Sequence, residues 1–328
     1  MLRTGLRDTG SERVIPAIMR KDKEGGRMAA RILEYTACGA DSGRLVRDII
    51  KKEFGLVSHD ISRAKYRTEN GVTVNGESVR VNFAVKPGDC LKVALSDEMS
   101  GKIVPSDGPL NVLYEDEDLI VLDKPAGIVV HPSHGHYADS LANRLAGYYL
   151  KNGEEHEVRT VGRLDRDTSG AVIFGKNRTA VSKLMDQAAD GRREKIYLAL
   201  ASGHFAENEG KVEAPIEREF SGSIKRVAAE GGDAALTYYR VLRQYEGYAL
   251  LEVRIATGRT HQIRVHMSCI GHPLLGDSLY GEGTVPGLAR TALHSYRTEF
   301  FQPFSGKKIT VQAELPPDMR AFVVEYPV

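Results

Sequence analysis

The sequence predicts an α+β protein in two domains, a mixed, mainly antiparallel β-sheet with few helices preceded by a small α/β unit. Three observations predict it. The chain has 328 residues, longer than a typical single domain and ample for a core. Beyond residue 110, β-branched and aromatic runs bounded by turn residues dominate. The helical patterns among those runs lack the regular strand-helix alternation of a parallel sheet. Hydrophobic residues at 41% and charged residues at 27% exclude disordered and fibrous classes.

Residues 1–28 mix charge with Gly, Thr and Ser, have no sustained apolar period, and contain Met19 and Met28 as alternative starts. A disordered extension is expected there. From Arg44, the apolar positions Leu45, Ile49, Ile50 and Phe54 recur at helical spacing and Gly55 closes the segment. Ser58 is the expected N-cap of a second helix reaching Arg67. Val72-Thr73-Val74 leads into Asn75-Gly76, the strongest two-residue hairpin signal. Strands are expected over 79–85 and 91–95, around the Pro87-Gly88-Asp89 turn. A Ser-, Gly- and Pro-containing charged stretch at 98–109 reads as a linker. In the second domain, 110–328, strands are expected at 112–114, 119–122, 171–174, 196–200, 238–243, 249–255 and 309–313. Helices are expected at 140–150, 178–189 and 260–269.

No apolar stretch approaches the roughly 18 residues a membrane helix requires, and the N-terminus lacks the apolar centre of a signal peptide. A cytoplasmic protein with no membrane partner is expected. Cys38, Cys90 and Cys269 are odd in number and far apart, which argues against a disulfide framework and a zinc site. His131, His261, His266, His272 and His294 form no His-Glu-x-x-His or Cys-His spacing, so they read as satisfied loop or core residues. Neither a metal nor a small-molecule cofactor is expected. A nucleotide or sugar-phosphate enzyme built on the Gly258 turn is disfavoured, because no P-loop or Gly-x-Gly-x-x-Gly fingerprint accompanies it. Net charge is +1, but the distribution is uneven. Seven Lys or Arg face three Asp or Glu over 43–67, and nine face five over 158–195. Such local patches suit a surface that follows a polyanion.

Two runs carry potential chemistry. Gly162-Arg163-Leu164-Asp165-Arg166-Asp167-Thr168-Ser169-Gly170 sets one carboxylate, Asp165, between an apolar anchor and a turn that enters a strand. Thr257-Gly258-Arg259-Thr260-His261-Gln262-Ile263-Arg264-Val265-His266 opens a helix with arginines at its start. A loop aspartate alone is usually a turn or ion-pair residue, and a carboxylate in a dry pocket stays ionised only beside a cation. Together with Lys195-Ile196-Tyr197, these runs resemble the motifs of the RluA/RluD-type pseudouridine synthases. Lys124-Pro125-Ala126-Gly127, the run from Gly271 to Asp277, and Ala292-Leu293-His294 extend the resemblance as scaffold.

The resemblance implies a pseudouridine synthase fold over 110–328 and a reaction that detaches uracil from C1′, turns it, and rejoins it through C5. No water is activated, so the second carboxylate of a glycoside hydrolase is not required. It further implies that Asp165 is the nucleophile or base, that Arg264 pairs with it, and that Tyr197 lies against the target base. Arg163 would be the intercalating arginine that follows a position more often His or Asn in the family, here Gly162. Arg259 could instead reach phosphate, since Gly258 opens the backbone just before a helix N-terminus.

Residues 29–97, two basic helices and a short hairpin, resemble the S4 RNA-binding module. The resemblance implies that Arg44, Arg47, Lys51, Arg63, Lys65 and Arg67 contact phosphate. The expected partner is structured RNA, first large-subunit ribosomal RNA and then transfer RNA. A non-catalytic S4-type RNA-binding or ribosome assembly protein is the rival reading. The presence of Asp165, Tyr197 and Arg264 argues against it.

Overall fold

The computed structural model describes residues 14–21, 27–68, 70–98 and 103–323. The chain divides into two compact units. One is Met1–Lys102 with the short segments Gly153–Glu157 and Asn177–Thr179, and the other is the remainder.

The smaller unit runs β1 (Val14–Lys21), β2 (Arg27–Thr36), a 3-10 turn (Gly39–Asp41), α1 (Val46–Glu53), α2 (Ser58–Arg67), β3 (Val72–Val74), β4 (Glu77–Ser78) and β5 (Cys90–Glu98). Its antiparallel sheet has the order β1-β2-β5-β3-β4. Of the extension expected over 1–28, residues 1–13 and 22–26 lie outside the described residues. Val14–Lys21 departs from that expectation by pairing with β2, whose hydrogen bonds define a strand that its own short apolar pattern does not. At the hairpin, Asn75 and Gly76 have φ of 52° and 87°, the two positive values that a type I′ turn demands. Residues 79–85 differ from the expected strand. The N–H groups of Val46 and Arg47, in the first turn of α1, donate to the carbonyls of Phe83 and Val81 at 2.9 Å. Those N–H groups have no partner within a helix, so this segment caps α1 instead of extending the sheet.

The larger unit runs β6 (Asn111–Glu115), β7 (Leu119–Lys124), α3 (Leu141–Lys151), β8 (Arg159–Thr160), β9 (Ser169–Gly175), α4 (Arg178–Ala189), β10 (Glu194–Ser202), β11 (Glu209–Glu213), β12 (Ile216–Arg218), β13 (Arg226–Ala228), β14 (Leu236–Gln244), β15 (Tyr248–Ile255), α5 (Gln262–Cys269), β16 (Leu293–Phe301), β17 (Lys308–Gln312) and α6 (Pro317–Arg320). The main sheet has the order β11-β14-β15-β10-β16-β9-β7-β6, with β17 on β16 and β8 on β9. Among the described residues only β16 and β9 pair in parallel, which makes this the expected mixed, mainly antiparallel α+β fold.

Both faces of the sheet are covered. Along β7, Ile120 and Leu122 join a core with Leu141, Leu145, Val172 and Phe174, while Leu119 and Val121 join a second with Ile173, Leu184 and Phe300. Alternation across the pleat sends each set to its own side, so the strand reads as one apolar run. β16 escaped the sequence reading because polar residues sit inside it. His294, Ser295 and Thr298 are buried. Ser295 Oγ donates to the Ala171 carbonyl at 3.1 Å, and Thr298 Oγ1 donates to that of Glu194 at 3.2 Å. His294 Nδ1 meets Ser169 Oγ at 2.9 Å. Each polar group therefore has a partner, and its burial is tolerated. At Gly170, φ is +105° and a Cβ would stand 2.3 Å from the Ser295 carbonyl oxygen, so only glycine lets β9 approach β16 there.

Candidate active site

Asp165 lies on the loop between β8 and β9. Leu164 is buried in the core beside it, and Thr168 N–H donates to the Asp165 carbonyl at 3.2 Å, closing the turn. The next two carbonyls are held from outside the loop. Arg166 O accepts from Lys124 Nζ at 2.8 Å and from Gly127 N–H at 2.9 Å. Asp167 O accepts from Arg290 Nη1 at 3.1 Å, while Arg290 Nε and Nη2 grip Asp318 at 2.7 and 3.0 Å. Lys124 is fully buried, and its amine also donates to the carbonyls of Pro125 and Ile128. Burial pushes that amine down to about 7, with the Asp167 carboxylate opposing. The Lys-Pro-Ala-Gly segment is thus a clamp on the Asp165 loop, a role invisible before folding brings the two together.

Arg264, on α5, places Nη1 3.6 Å from Asp165 Oδ2. Its Nε and Nη2 form a two-pronged bond to Asp277 at 2.7 and 2.8 Å. Asp277 is completely buried and also accepts from the N–H groups of Leu279 and Tyr280. A forked guanidinium held at two corners presents the remaining one in a fixed direction. The guanidinium also lies 5.0 Å over the Tyr280 ring. Arg264 is 7% exposed, so its charge is held inside the protein and not at the surface.

His261 precedes α5 with φ at 58°, in the left-handed region, where a side chain other than glycine costs of order 1 kcal/mol. The turn aims its Nε2 toward Asp165 Oδ2, 3.9 Å away. Tyr280 Oη accepts the Arg226 N–H at 2.8 Å and meets His261 Nδ1 at 2.8 Å. The tyrosine thus holds the imidazole ring through Nδ1, with Nε2 on the side of the carboxylate. Burial lowers the His261 pKa, the Asp165 charge raises it, and Arg264 and Arg226 lower it further. Gln262 fixes the approach to the helix. Its Oε1 accepts from Thr257 Oγ1 at 2.7 Å and Arg259 N–H at 3.0 Å, and its Nε2 donates to Leu236 O and Thr237 Oγ1. All four of its hydrogen-bonding positions are filled, locking the Gly258 loop onto β14.

Tyr197, on β10, is 4% exposed and lines the same pocket as Asp165, Arg163 and Arg264. Burial raises its hydroxyl pKa well above the usual value, and the Asp165 charge raises it further. The pocket holds about 60 Å³, small for a nucleoside, and adjoins a cleft of about 520 Å³ through Arg163, Tyr197 and Arg259. Arg163 is exposed at their shared rim. Arg259 donates from Nε to Ala234 O at 3.2 Å and places Nη1 3.4 Å from Asp233.

Within the smaller unit the six expected cations separate. Arg44 pairs with Asp41 and, at 3.2 Å, with Glu53. Arg63 is buried and pairs with Asp60 at 3.1 Å. Both guanidinium groups meet carboxylates within this unit. Arg47, Lys51 and Lys65 are exposed, and the Lys65 ammonium lies against the Tyr66 ring. The Arg67 side chain lies outside the described residues. Among the described residues no group of three or more His, Cys, Asp or Glu could hold a metal ion, and no helix is long and apolar enough to cross a membrane.

Comparison with known proteins places these features in a family. The sequence pattern of RNA pseudouridylate synthase matches residues 118–269. The RNA pseudouridine synthase YhcT of Bacillus subtilis is 39% identical over 76% of this chain and 83% of its own. The ribosomal large subunit pseudouridine synthase D of Zymomonas mobilis is 38% identical over 79% of this chain and 86% of its own. Among solved structures, human RNA pseudouridylate synthase domain containing 1 superposes with a TM-score of 0.50 at 27% identity, over 65% of this chain and 87% of that one. Human RNA pseudouridylate synthase domain containing 4 shares the fold, with a TM-score of 0.53 at 22% identity over 64% and 90% of the two chains. The chain that sets Asp165 against Arg264 belongs to the RNA pseudouridylate synthase family and is an RNA pseudouridine synthase, an isomerase.

Proposed function

We propose that the enzyme isomerises specific uridines in large-subunit ribosomal RNA and that Asp165 is the group that starts the reaction. The observation that carries this is the 3.6 Å pairing of Asp165 with Arg264 in a pocket also lined by Tyr197. The N1–C1′ bond breaks, the uracil turns, C5 bonds to C1′, C5 loses a proton and N1 gains one. Attack on the sugar carbon and removal of a sugar proton are both open to the carboxylate beside Arg264. His261, with its Nε2 3.9 Å from Asp165, is assigned as a positioning residue for that carboxylate. Tyr197 lies against the base, Arg163 fills the stack that the uridine leaves, and Arg259 contacts the backbone beside it. Neither a metal nor a small-molecule cofactor enters this scheme.

The relatives named as ribosomal large subunit pseudouridine synthase D support large-subunit RNA as substrate, ahead of transfer RNA. An enzyme with that substrate works where ribosomes are assembled, and we assign it to the cytoplasm. We read residues 29–97 as an S4-like module that adds affinity through the exposed Arg47, Lys51 and Lys65, residues 98–109 as a linker, and 110–328 as the catalytic domain. Mapping pseudouridines in RNA from cells with and without the gene tests the substrate. The expected result is loss at discrete large-subunit positions; loss confined to transfer RNA would overturn it.

A further inference from the structure

The 520 Å³ cleft beside the Asp165 pocket has a charge problem. Its volume falls within the range of pockets that hold small ligands or parts of larger ones. Arg163, Arg193, Lys195 and Arg259 line it, and no carboxylate does. Arg259 is partly neutralised by Asp233. Arg193 spends one donor on the Val161 carbonyl at 3.2 Å, leaving other guanidinium donors for the cleft. Lys195 has no hydrogen bond or ion pair to its ammonium among the described residues. Gly162 sits over it with φ at +92°, a left-handed conformation that favours glycine, and a Cβ added there would meet Nζ at an ordinary contact distance of 3.5 Å.

Arg193 and Lys195 are half-buried and Arg163 and Arg259 exposed, so like charges gather at the cleft and an anion among them would relieve their repulsion. Burial of the amine and then the Arg193 charge push Lys195 down to about 7. A lysine serving only the fold would be expected to carry a carboxylate or carbonyl partner, as Lys124 does with three carbonyls. Met185 and Ala188 also line the cleft and add apolar surface that suits a ribose or a base face.

We propose that Lys195 and Arg193 form a subsite for an RNA backbone phosphate next to the everted uridine, separate from the group that performs the chemistry. The inference rests on the reading that the uridine enters over Asp165, because the two cavities share Arg163, Tyr197, Ile255, Gly258 and Arg259. Gripping the backbone there offsets part of the few kcal/mol that unstacking costs.

The test uses the full chain and a pool of unmodified ribosomal and transfer RNA transcripts labelled with tritium at uridine C5. Tritium release reports isomerisation whichever RNA is the substrate. Lys195→Met should raise KM about tenfold with a much smaller change in kcat, and Arg193→Met should do the same. Each should flatten the dependence of log(kcat/KM) on log salt by about 0.7, the share of one single-strand phosphate contact. Lys195→Arg, which keeps the charge, should restore most of both. Unchanged KM and salt slope in the two methionine variants would overturn the subsite, as would a loss confined to kcat. Absence of release by the unaltered protein would instead count against the proposed substrate classes.

Discussion

The pocket over Asp165 and the basic helices of the smaller unit both carry charge, but they hold it differently. Arg264 is fixed at two corners by a fully buried Asp277, and His261 is oriented by Tyr280. Arg47 and Lys51 stand exposed, and Arg47 lies 3.7 Å from an equally exposed Asp48. Chemistry demands a direction, so its cations are locked by neighbours. Affinity for a polyanion demands only charge near phosphate, and exposed side chains supply that without being fixed.

The contrast can be broken at several points. The largest effect is expected at Asp165→Ala, which should reduce isomerisation at least about 10³-fold, equivalent to about 4 kcal/mol of barrier, with RNA affinity nearly unchanged. Tritium release and filter binding on one preparation measure both.

Next comes Asp277→Ala, which strands a buried guanidinium. Unfolding in urea should show a loss of about 3–5 kcal/mol, far beyond what a surface pair contributes.

The parallel junction beneath the site should respond to acid through His294. Burial pushes it down to about 4, with the Ala313 carbonyl and Asp318 opposing and Arg290 assisting. An unfolded imidazole titrates near 6.5, so the unfolded chain takes up the proton first. This contribution is therefore intact above about pH 6.5 and lost as pH falls to about 4, by about 3 kcal/mol in all. Urea midpoints at pH 7 and 4.5 should diverge less in His294→Asn than in the unaltered protein.

Tyr280→Phe removes the hydroxyl that holds His261 Nδ1. A kcat reduction of about tenfold is expected with KM little changed, and His261→Gln should lower kcat without an additional loss from Tyr280→Phe when the two are combined. The smallest effects belong to Lys51→Gln and Lys65→Gln, each expected to weaken RNA binding by under about 1 kcal/mol and to lower the salt slope by about 0.7 to 0.9.

The same contrast governs what was legible in the sequence. Asp165, Arg264 and Tyr197 stand in recognisable runs, and the fold brings all three to one pocket. Periodicity found α3, α4 and α5 because their apolar faces repeat at helical spacing. The partners that lock the site were not legible as such. Asp277 and Lys124 matter through burial and through carbonyls distant in sequence, and no local pattern encodes that. β16 was missed because its buried polar residues are satisfied only by neighbouring strands. In the smaller unit, counting cations could not reveal that Arg44 and Arg63 are spent on Asp41, Glu53 and Asp60.

The most direct measurement is single-turnover isomerisation at saturating RNA, with RNA affinity determined on the same samples, for Asp165→Asn and for a variant carrying Arg47→Gln, Lys51→Gln and Lys65→Gln. The account predicts no isomerisation but intact affinity in the first, and a rate within about twofold of the unaltered enzyme but weaker, less salt-dependent binding in the second. Isomerisation by the Asp165→Asn protein would contradict it.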